Sequence, residues 1–345
     1  MRFIHIADIH LGLEPSDGRD RRDLWNSLSQ VFQIAEKQKI DVIFIAGDLF
    51  HRQPLMRELK EFNYLCSRLS HAKVVLIAGN HDYMHPNSNY RKFAFAKNVI
   101  FLSGSEPEMV ELEEYGACIY GFSYWQRKII EPRYDGFRPK NIGKINILIG
   151  HGGDVKHIPF RETTFRESGF DYVALGHIHK GGQIIRNRVV MAGALEPTDC
   201  NDIGPHGYWM GEVTKKGCNV SFFSIRKCEY VLHPISVTGD MTAIQVMEQI
   251  QHDLQKKESY QHYKIVLEGN CDPELVLDLE QILALPGVAS VENELLPAYD
   301  LKYLKAEYQN TLLEKYINKL EKLPQNAITR QAMYYGLDAL YQTMK

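Results

Sequence analysis

The sequence predicts an α/β protein in which a two-sheet β-sandwich is flanked by helices, followed by a small α/β domain and C-terminal helices. Short apolar runs of β-branched residues, such as Val42–Ala46, are typical of strands covered on both faces. Helical patterns alternate with the first of these runs, as in a parallel sheet. Runs after about residue 99 are shorter and more antiparallel in character, which favours a second sheet packed on the first.

Composition places the chain among ordinary globular proteins. It has 345 residues, 44% hydrophobic and 24% charged, a length that suggests about two domains. The net charge of −3 excludes a global basic field, so any contact with nucleic acid has to be local, metal-mediated or shared with a partner. Six scattered cysteines indicate reduced thiols. We expect no signal peptide and no membrane span, and therefore a cytoplasmic protein.

The first third of the chain predicts a βαβαβ unit. Its strands are expected over 3–7, 42–46 and 73–78, and its helices over about 23–39 and 54–69. Asp23 is a candidate N-cap for the first helix, and Pro54 suits the first turn of the second. This alternation implies a parallel sheet with polar residues at each strand end.

Three regions are predicted along the chain. Residues 1–229 form the sandwich, with further strands over 144–150, 171–176, 184–194, 208–213 and 218–225. Residues 230–300 alternate strands and helices in a separate small α/β domain that has no ligand-type residues at its strand ends. Residues 301–345 are helical, with Leu304, Leu312 and Leu320 on one apolar, tyrosine-rich stripe.

Polar side chains follow five of the predicted strands. They are Asp8, His10, Asp48, Asn80, His81, His151, His177 and His179. The carboxyl ends of parallel strands meet at one edge of a sheet, where ligands bind. Residues i and i+2 of a strand project the same way, so Asp8 with His10, and His177 with His179, are predicted as chelating pairs.

This residue set is typical of a metal centre. Carboxylates, an amide and imidazoles suit Mn²⁺, Fe²⁺ or Zn²⁺, whereas a pure Mg²⁺ site uses more oxygen ligands. The set is too large for one ion, and a carboxylate shared between two ions accounts for its size. One D-x-H or H-x-H pair alone is more often a cap or a structural hydrogen-bonding group, but five such strand ends in order favour the metal centre.

The order D-x-H, G-D, G-N-H-D, G-H and G-H-x-H, over about residues 1–200, resembles the calcineurin-like metallophosphoesterase superfamily. Within it, ADIHLG at 7–12, GDLF at 47–50, GNHD at 79–82 and GALEPTDCNDIGPHGY at 193–208 resemble SbcD-type nuclease subunits of DNA double-strand-break repair. The resemblance implies the metallophosphoesterase fold, with residues 230–300 as the capping domain.

The resemblance also implies a role for each motif residue. Asp8, His10 and His179 would hold one metal, Asn80, His151 and His177 the other, and Asp48 would bridge them. His81 would face the phosphate as a catalytic group. Asp82 would orient His81 or its loop, or else cap a turn. His51 resembles a second phosphate-side histidine, with an ordinary loop histidine as the alternative.

The function implied is that of a DNA exo/endonuclease that uses two Mn²⁺ ions, with Mg²⁺, Fe²⁺ or Zn²⁺ as alternatives. One rival is a metallophosphoesterase acting on small phosphodiesters or phosphoproteins. Another is a non-catalytic subunit that tethers DNA ends. His81 argues against this second rival, because a purely structural site has no use for a histidine beside the metals that is not a ligand.

Substrate and partner contacts are predicted from local features. DNA ends and hairpins would contact basic residues, namely Arg19, Arg22, Arg52, Arg127 and Lys128, for which an ordinary solvated surface is the alternative. The helices of residues 301–345 would dock on an SMC-like coiled-coil ATPase of SbcC type, or else pack on their own domain. A homodimer is expected from the resemblance alone.

Overall fold

The computed structural model describes residues 1–14, 20, 22–225, 227–324 and 326–343. The chain divides into two compact units, Met1–Tyr230 and Val231–Lys345. The separate domain boundary at residue 300 stays a prediction. Arg19 lies outside the described residues.

The first unit carries most of the strands. Its elements are β1 (Arg2–Ile6), α1 (Arg22–Gln38), β2 (Val42–Ala46), α2 (Met56–Ser67), β3 (Lys73–Ile77), β4 (Val99–Phe101), β5 (Glu108–Leu112), β6 (Ala117–Gly121), β7 (Ile145–His151), α3 (Glu162–Arg166), β8 (Tyr172–Gly176), β9 (Gly182–Ile185), β10 (Val189–Met191), β11 (Gly207–Thr214) and β12 (Gly217–Ser224). Short 3₁₀ helices occur at Asn89–Lys92 and Glu113–Tyr115.

These strands form two six-stranded sheets. One has the order β12-β11-β1-β2-β3-β4 and the other β5-β6-β7-β8-β10-β9. β1, β2, β3 and β4 are parallel to one another, and so are β6, β7, β8 and β10. The predicted two-sheet α/β sandwich is confirmed.

Strand alternation builds three apolar layers. In β2, Ile43 and Ile45 face a core shared with α1 and α2, whereas Val42 and Phe44 face the core between the sheets. In β8, Val173 contributes to a third core on the outer face of the second sheet. Every residue of β2 and of β8 is buried, which explains why these strands read as continuous apolar runs.

Helix α1 presents the expected apolar face, with Leu24, Leu28 and Val31 buried. The prediction of Asp23 as its N-cap was wrong, because the helix already includes Arg22. The Asp20 carboxylate, not that of Asp23, accepts the Arg22 N–H at 2.8 Å. Asp23 instead lies in the first turn, where its charge complements the helix dipole.

Two other sequence expectations need correction. Residues 184–194 are not one strand, because β9 and β10 pair antiparallel across a turn in which Asn187 has φ 57°. Residues 304–320 are not one helix. The chain leaves helical geometry at Tyr308, and Asn310 has φ 63°, before Thr311 caps the next helix.

The second unit contains the remaining elements. They are β13 (Glu229–Val237), which starts at the end of the first unit, α4 (Ala243–Lys256), β14 (Gln261–Cys271), α5 (Leu279–Leu283), β15 (Val288–Asn293), β16 (Leu296–Pro297), α6 (Leu301–Glu307), α7 (Leu312–Glu321) and α8 (Ala327–Gln342). The sheet order is β13-β14-β15, with β16 on β14. Among the described residues, no helix is long and apolar enough to cross a membrane.

Candidate metal centre

The predicted ligands converge because their strands are parallel. In the first sheet, the loops after β1, β2 and β3 carry Asp8, His10, Asp48, Asn80 and His81. In the second sheet, His151 is the last residue of β7, and the loop after β8 carries His177 and His179. Both sheets therefore bring their carboxyl ends to one place, the usual ligand position in parallel α/β sheets.

The side chains form two potential metal groups. Asp8, His10 and His179 make one, and Asp48, His151 and His177 make the other, each with its ligand atoms within 4.8 Å of one another. Asn80 joins the second group, since its Oδ1 lies 2.9 Å from both His151 Nε2 and His177 Nδ1. This division agrees with the one that the resemblance implies, except that Asp48, expected as a shared ligand, falls in the second group.

His177 and His179 are not a chelating pair, contrary to the expectation from strand geometry. β8 ends at Gly176, and His177 has φ 101°, so the two histidines do not extend along a strand. Their rings turn to different groups. Asp8 and His10 do share a group, but they also lie beyond their strand, with φ 49° and 52°.

Backbone strain is concentrated at this centre. Asp8, His10, Asp48 and His177 all have positive φ, a conformation that non-glycine residues adopt only when the surrounding structure imposes it. Such strain is characteristic of functional sites and indicates that the positions of these side chains are imposed by the fold.

The motif glycines are needed for close approach. A Cβ on Gly79 would lie 2.2 Å from Asp48 Oδ1, and a Cβ on Gly47 would lie 2.4 Å from the ring of His151. Only a residue without a side chain lets the neighbouring strand ends come this close. The glycines of G-D and G-N-H-D therefore belong to the geometry of the centre.

Asp8 shows that the residues fit a cation. The side chain is fully buried, and its Oδ2 accepts the backbone N–H of His177 at 2.8 Å. Its Oδ1 is buried and has no hydrogen-bond partner among the described residues. A buried carboxylate oxygen without a donor is costly unless a positive ion compensates it. Together with the imidazoles, this donor set suits a transition metal.

Burial and mutual charge set the ionisation of the ligands. Burial raises the pKa of Asp8 to about 6 and lowers the pKa of His10 to about 3. Burial opposes the charge of Asp48, but attraction to His151 and a hydrogen bond with it hold the pKa of Asp48 well below its usual range. A bound cation favours ionised carboxylates and neutral imidazoles, so binding of ions releases protons.

His81 and His51 lie beside the first group. The Nδ1–H of His81 donates to the backbone carbonyl of His51 at 2.9 Å, and its backbone N–H donates to Asp48 Oδ1 at 2.8 Å. The rings of His81 and His10 are 4.8 Å apart, and those of His51 and His81 are 5.1 Å apart. The Nε2 atom of His81 is thus the ring nitrogen left for chemistry.

Asp82 holds the loop. It is fully buried and accepts the Gly79 N–H at 2.8 Å, the Phe50 N–H at 3.1 Å and the Tyr90 hydroxyl at 2.8 Å. None of its hydrogen bonds within the described chain goes to the His81 ring. Of its predicted roles, the geometry favours fixing the loop.

The basic residues predicted to contact DNA differ in their surroundings. Arg52 forms two hydrogen bonds to Glu58, at 2.9 and 2.8 Å, and is therefore tied to α2. Arg127 and Lys128 are exposed, and the charges of Arg52 and Arg127 contribute to lowering the pKa of His51, after burial and His81. Arg22 is exposed at the start of α1.

Two carboxylates behind the histidines were missed from the sequence. Asp154 lies 2.9 Å from His177 Nε2, and Asp202 lies 3.0 Å from His179 Nδ1. Asp154 follows the G-H motif as H-G-G-D, and Asp202 is inside the 193–208 motif. Their presence in the motifs was the available signal, but only the fold shows which histidine each one contacts.

The chain is similar in sequence to known proteins. A family model described as calcineurin-like phosphoesterase matches residues 1–181. An uncharacterized metallophosphoesterase, YhaO of Bacillus subtilis, is 30% identical over 306 residues, covering 81% of this chain and 74% of that protein. The SbcD component of the nuclease SbcCD from Staphylococcus epidermidis is 25% identical, covering 93% of each chain.

An archaeal relative matches over a shorter range. The DNA double-strand break repair protein Mre11 of Methanocaldococcus jannaschii is 31% identical over 192 residues, and the match spans about half of that protein, 52% of its length. The predicted class, a metal-dependent phosphoester hydrolase, is confirmed, and the family implies a dinuclear centre of clustered histidines and aspartates. The chain belongs to the calcineurin-like phosphoesterase family.

Proposed function

We propose that this protein is a Mn²⁺-dependent DNA exo/endonuclease that processes DNA ends in double-strand-break repair. The observation that carries the proposal is the position of His81. Its ring lies 4.8 Å from that of His10, in the first of two groups of potential metal ligands, and its Nδ1–H donates to a backbone carbonyl 2.9 Å away. A histidine fixed through one nitrogen beside such groups is suited to act on a substrate with the other.

The ligand roles are part of the proposal. Asp8, His10 and His179 would hold one ion, Asn80, His151 and His177 the other, and Asp48 would be shared. Two ions bound there would neutralise the phosphodiester oxygens and make a water acidic enough to lose its proton near neutral pH. His81 Nε2 would stabilise the phosphate or protonate the leaving oxygen, and His51 would contact the phosphate next to it.

DNA is the substrate that the surroundings favour. Arg127 and Lys128 are exposed, and the charge of Arg127 acts on His51, so positive charge lies near the phosphate side of the centre. Relatives whose names refer to DNA break repair and to a nuclease support the same substrate. Small phosphodiesters remain the rival because they would need the same centre without the basic side chains.

The test is cleavage of end-labelled linear and hairpin DNA with Mn²⁺ or Mg²⁺. The His81→Gln variant should bind Mn²⁺ like the wild type but cleave about 10²–10⁴-fold more slowly, the usual loss for a general acid or base. His71→Gln is the matched control, since His71 is exposed and pairs with Asp41 at the amino end of β2, 2.9 Å away.

Each rival predicts a different result. An enzyme for small substrates would hydrolyse bis(nitrophenyl) phosphate rapidly and leave linear duplex DNA intact. A tethering protein would bind DNA ends without cleaving them under any metal condition. Either outcome would overturn the proposed nuclease.

We also propose that residues 301–345 dock on an SMC-like coiled-coil ATPase. The helices α6, α7 and α8 bury Leu313, Ile317 and Leu337 among themselves but leave Leu312 67% and Ile328 78% exposed. Exposed apolar side chains on helices suit a helix-in-groove contact. Co-purification of the full chain with such an ATPase should be lost in Leu312→Glu with Ile328→Glu, and retention of the complex would contradict docking there.

A further inference from the structure

The two histidines of the H-I-H motif use opposite ring nitrogens. His177 points Nδ1 at Asn80 Oδ1, 2.9 Å away, and its Nε2 is 2.9 Å from Asp154 Oδ2. His179 has the reverse arrangement, with Nε2 3.1 Å from His10 Nε2 and Nδ1 3.0 Å from Asp202 Oδ2. In each ring, one nitrogen faces a ligand group and the other faces a carboxylate outside it, which at His179 is accompanied by the Thr198 hydroxyl, 3.2 Å from Nδ1.

Each carboxylate is itself held in place. Both oxygens of Asp154 lie 2.9 Å from Nδ1 of His157, and the carboxylate accepts the Lys156 N–H at 2.7 Å. The Asp154 side chain is 42% exposed, so without these contacts it would be free to rotate into solvent. The His157 ring is also tilted against that of His177, at 49°, with ring centroids 4.4 Å apart.

Asp202 is braced in a comparable way. Its Oδ2 accepts both the hydroxyl of Thr198 at 2.6 Å and the backbone N–H of Thr198 at 2.8 Å. Only 16% of its side chain is exposed. The 193–208 segment therefore presents a fixed acceptor to one edge of the His179 ring.

We propose that Asp154 and Asp202 are positioning residues that hold His177 and His179 in opposite tautomers, so that His177 offers Nδ1 to one metal and His179 offers Nε2 to the other. A neutral imidazole carries one N–H and one lone pair, and the nitrogen that donates to a carboxylate leaves the other free as a ligand. Carboxylates that orient histidine ligands in this way also raise their basicity. The inference rests on the proposed two-metal centre.

The alternate tautomers explain how adjacent motif residues serve different ions. With only Ile178 between them and His177 at φ 101°, the two rings leave the chain in different directions. A carboxylate at the far edge of each ring makes the wrong tautomer costly, since a lone pair of the ring would then face a carboxylate oxygen. Hydrogen bonding, as well as backbone direction, therefore assigns His177 to one ligand group and His179 to the other.

The test compares Asp154→Ala and Asp202→Ala with the wild type in the full-length chain. Calorimetric titration with Mn²⁺ should show roughly 10–100-fold weaker binding in one of the two steps for each variant, the usual effect of removing such a partner. Asp154→Asn and Asp202→Asn should restore most of the affinity, because the amide oxygen still accepts the ring N–H. Asp199→Asn is the control, because Asp199 is exposed in the same loop and accepts the Asn201 N–H at 2.7 Å.

A spectroscopic measurement separates positioning from general damage. In protein labelled with ¹⁵N-histidine and loaded with diamagnetic Zn²⁺, the wild type should show His177 protonated at Nε2 and His179 protonated at Nδ1. Asp154→Ala should disturb only the first signal and Asp202→Ala only the second, with unchanged circular dichroism.

Three outcomes would overturn the inference. One is wild-type affinity and tautomers in both alanine variants. Another is the same tautomer at both histidines of the wild type. The third is a wild type that binds three ions of which Asp154→Ala loses one, since Asp154, His157 and His177 would then be a metal site themselves. A wild type that binds no ions, or one that binds two ions but does not cleave DNA, would instead overturn the proposed function.

Discussion

At the scale of single residues, the centre combines costly features that a cation would compensate. Asp48 is fully inside the protein with φ 48°, and it contacts His151 at 3.4 Å and the His81 backbone at 2.8 Å. Asp8 keeps one buried oxygen without a hydrogen-bond donor among the described residues. Such groups lower stability and are found mainly where a function requires them. The strained, polar interior is therefore best explained as a site prepared for ions.

Asp48→Asn should disable both ions together. The amide has the shape of the carboxylate but no charge to share, so we expect Mn²⁺ binding to weaken at both groups and hydrolysis to fall by several orders of magnitude. Calorimetry and a cleavage assay provide the measurements. Asp41→Asn, at the amino end of the same strand, is the control and should behave as the wild type. Metal-dependent hydrolysis retained in Asp48→Asn would contradict the shared ligand.

His5 should make the fold sensitive to acid. Burial lowers the pKa of this fully enclosed histidine from 6.5 to about 3, and its Nδ1 lies 3.0 Å from the Tyr172 hydroxyl. Below pH 6.5 the unfolded chain takes up a proton that the folded chain refuses, so the free energy of unfolding falls as the pH falls. Between pH 7 and pH 5, this histidine alone should lower the free energy of unfolding by about 2 kcal/mol.

The measurement is denaturant unfolding in the presence of a chelator, at several pH values, for the wild type and His5→Gln. The glutamine does not titrate and still offers a partner to Tyr172. The difference between the two proteins should therefore shrink as the pH drops from 7 to 5. Parallel pH curves would show that His5 is not the group responsible.

At the scale of elements, the loops after the strands position the centre more than the strands do. β1 ends at Ile6, β2 at Ala46 and β8 at Gly176, and all but one of the proposed ligands lie beyond a strand end. Loop backbones of adjacent strands pair with each other, as in the bridge between Leu11 and Phe50. Asp82 then connects two of these loops. Short loops held by such contacts are rigid enough to support ligands.

Gly79→Ala tests this close packing. The new Cβ would meet Asp48 Oδ1 at 2.2 Å and the Asp48 backbone nitrogen at 2.5 Å, so Asp48 has to move. We expect weaker Mn²⁺ binding and a loss of about 1–3 kcal/mol of stability, as for other overpacked sites. Thermal unfolding with and without Mn²⁺ provides both values.

Gly182→Ala is the matched control. A Cβ there meets nothing within 4 Å, so neither stability nor metal affinity should change. Equal behaviour of the two alanine variants would contradict the steric argument.

At the scale of the whole molecule, the chemistry belongs to one of the two units. All proposed ligands fall within Met1–Tyr230, and the family match, residues 1–181, falls there too. The second unit has its own apolar core, which includes Ile235, Val246 and Ile265. Each unit therefore has the burial needed to fold cooperatively.

Calorimetric unfolding of the whole chain should show two transitions, and Mn²⁺ should raise the midpoint temperature of only one of them. An ion that binds only the folded state raises the free energy of unfolding by about 2.7 kcal/mol when its free concentration is about 100 times Kd. This gain applies only to the unit that carries the ligands. Sodium chloride at equal ionic strength is the comparison. Equal upward shifts of both transitions with Mn²⁺ would contradict the assignment.

The sequence by itself determined the strand ends and the chemical class of the centre. Apolar runs followed by Asp, His or Asn, as at Val42–Asp48, depend on local patterns, and parallel strands carry such residues to one edge. The order of the motifs was also sufficient to predict the family and the sandwich.

Only the tertiary structure decided which side chains of the centre contact one another. The left-handed backbone of His177 separates it from His179, and Asp154 and Asp202 each reach a histidine 23 residues away in the chain. These features depend on how distant loops pack, and no local pattern encodes them. Strand periodicity misjudged the H-I-H pair for this reason, because the strand had already ended where the chemistry began.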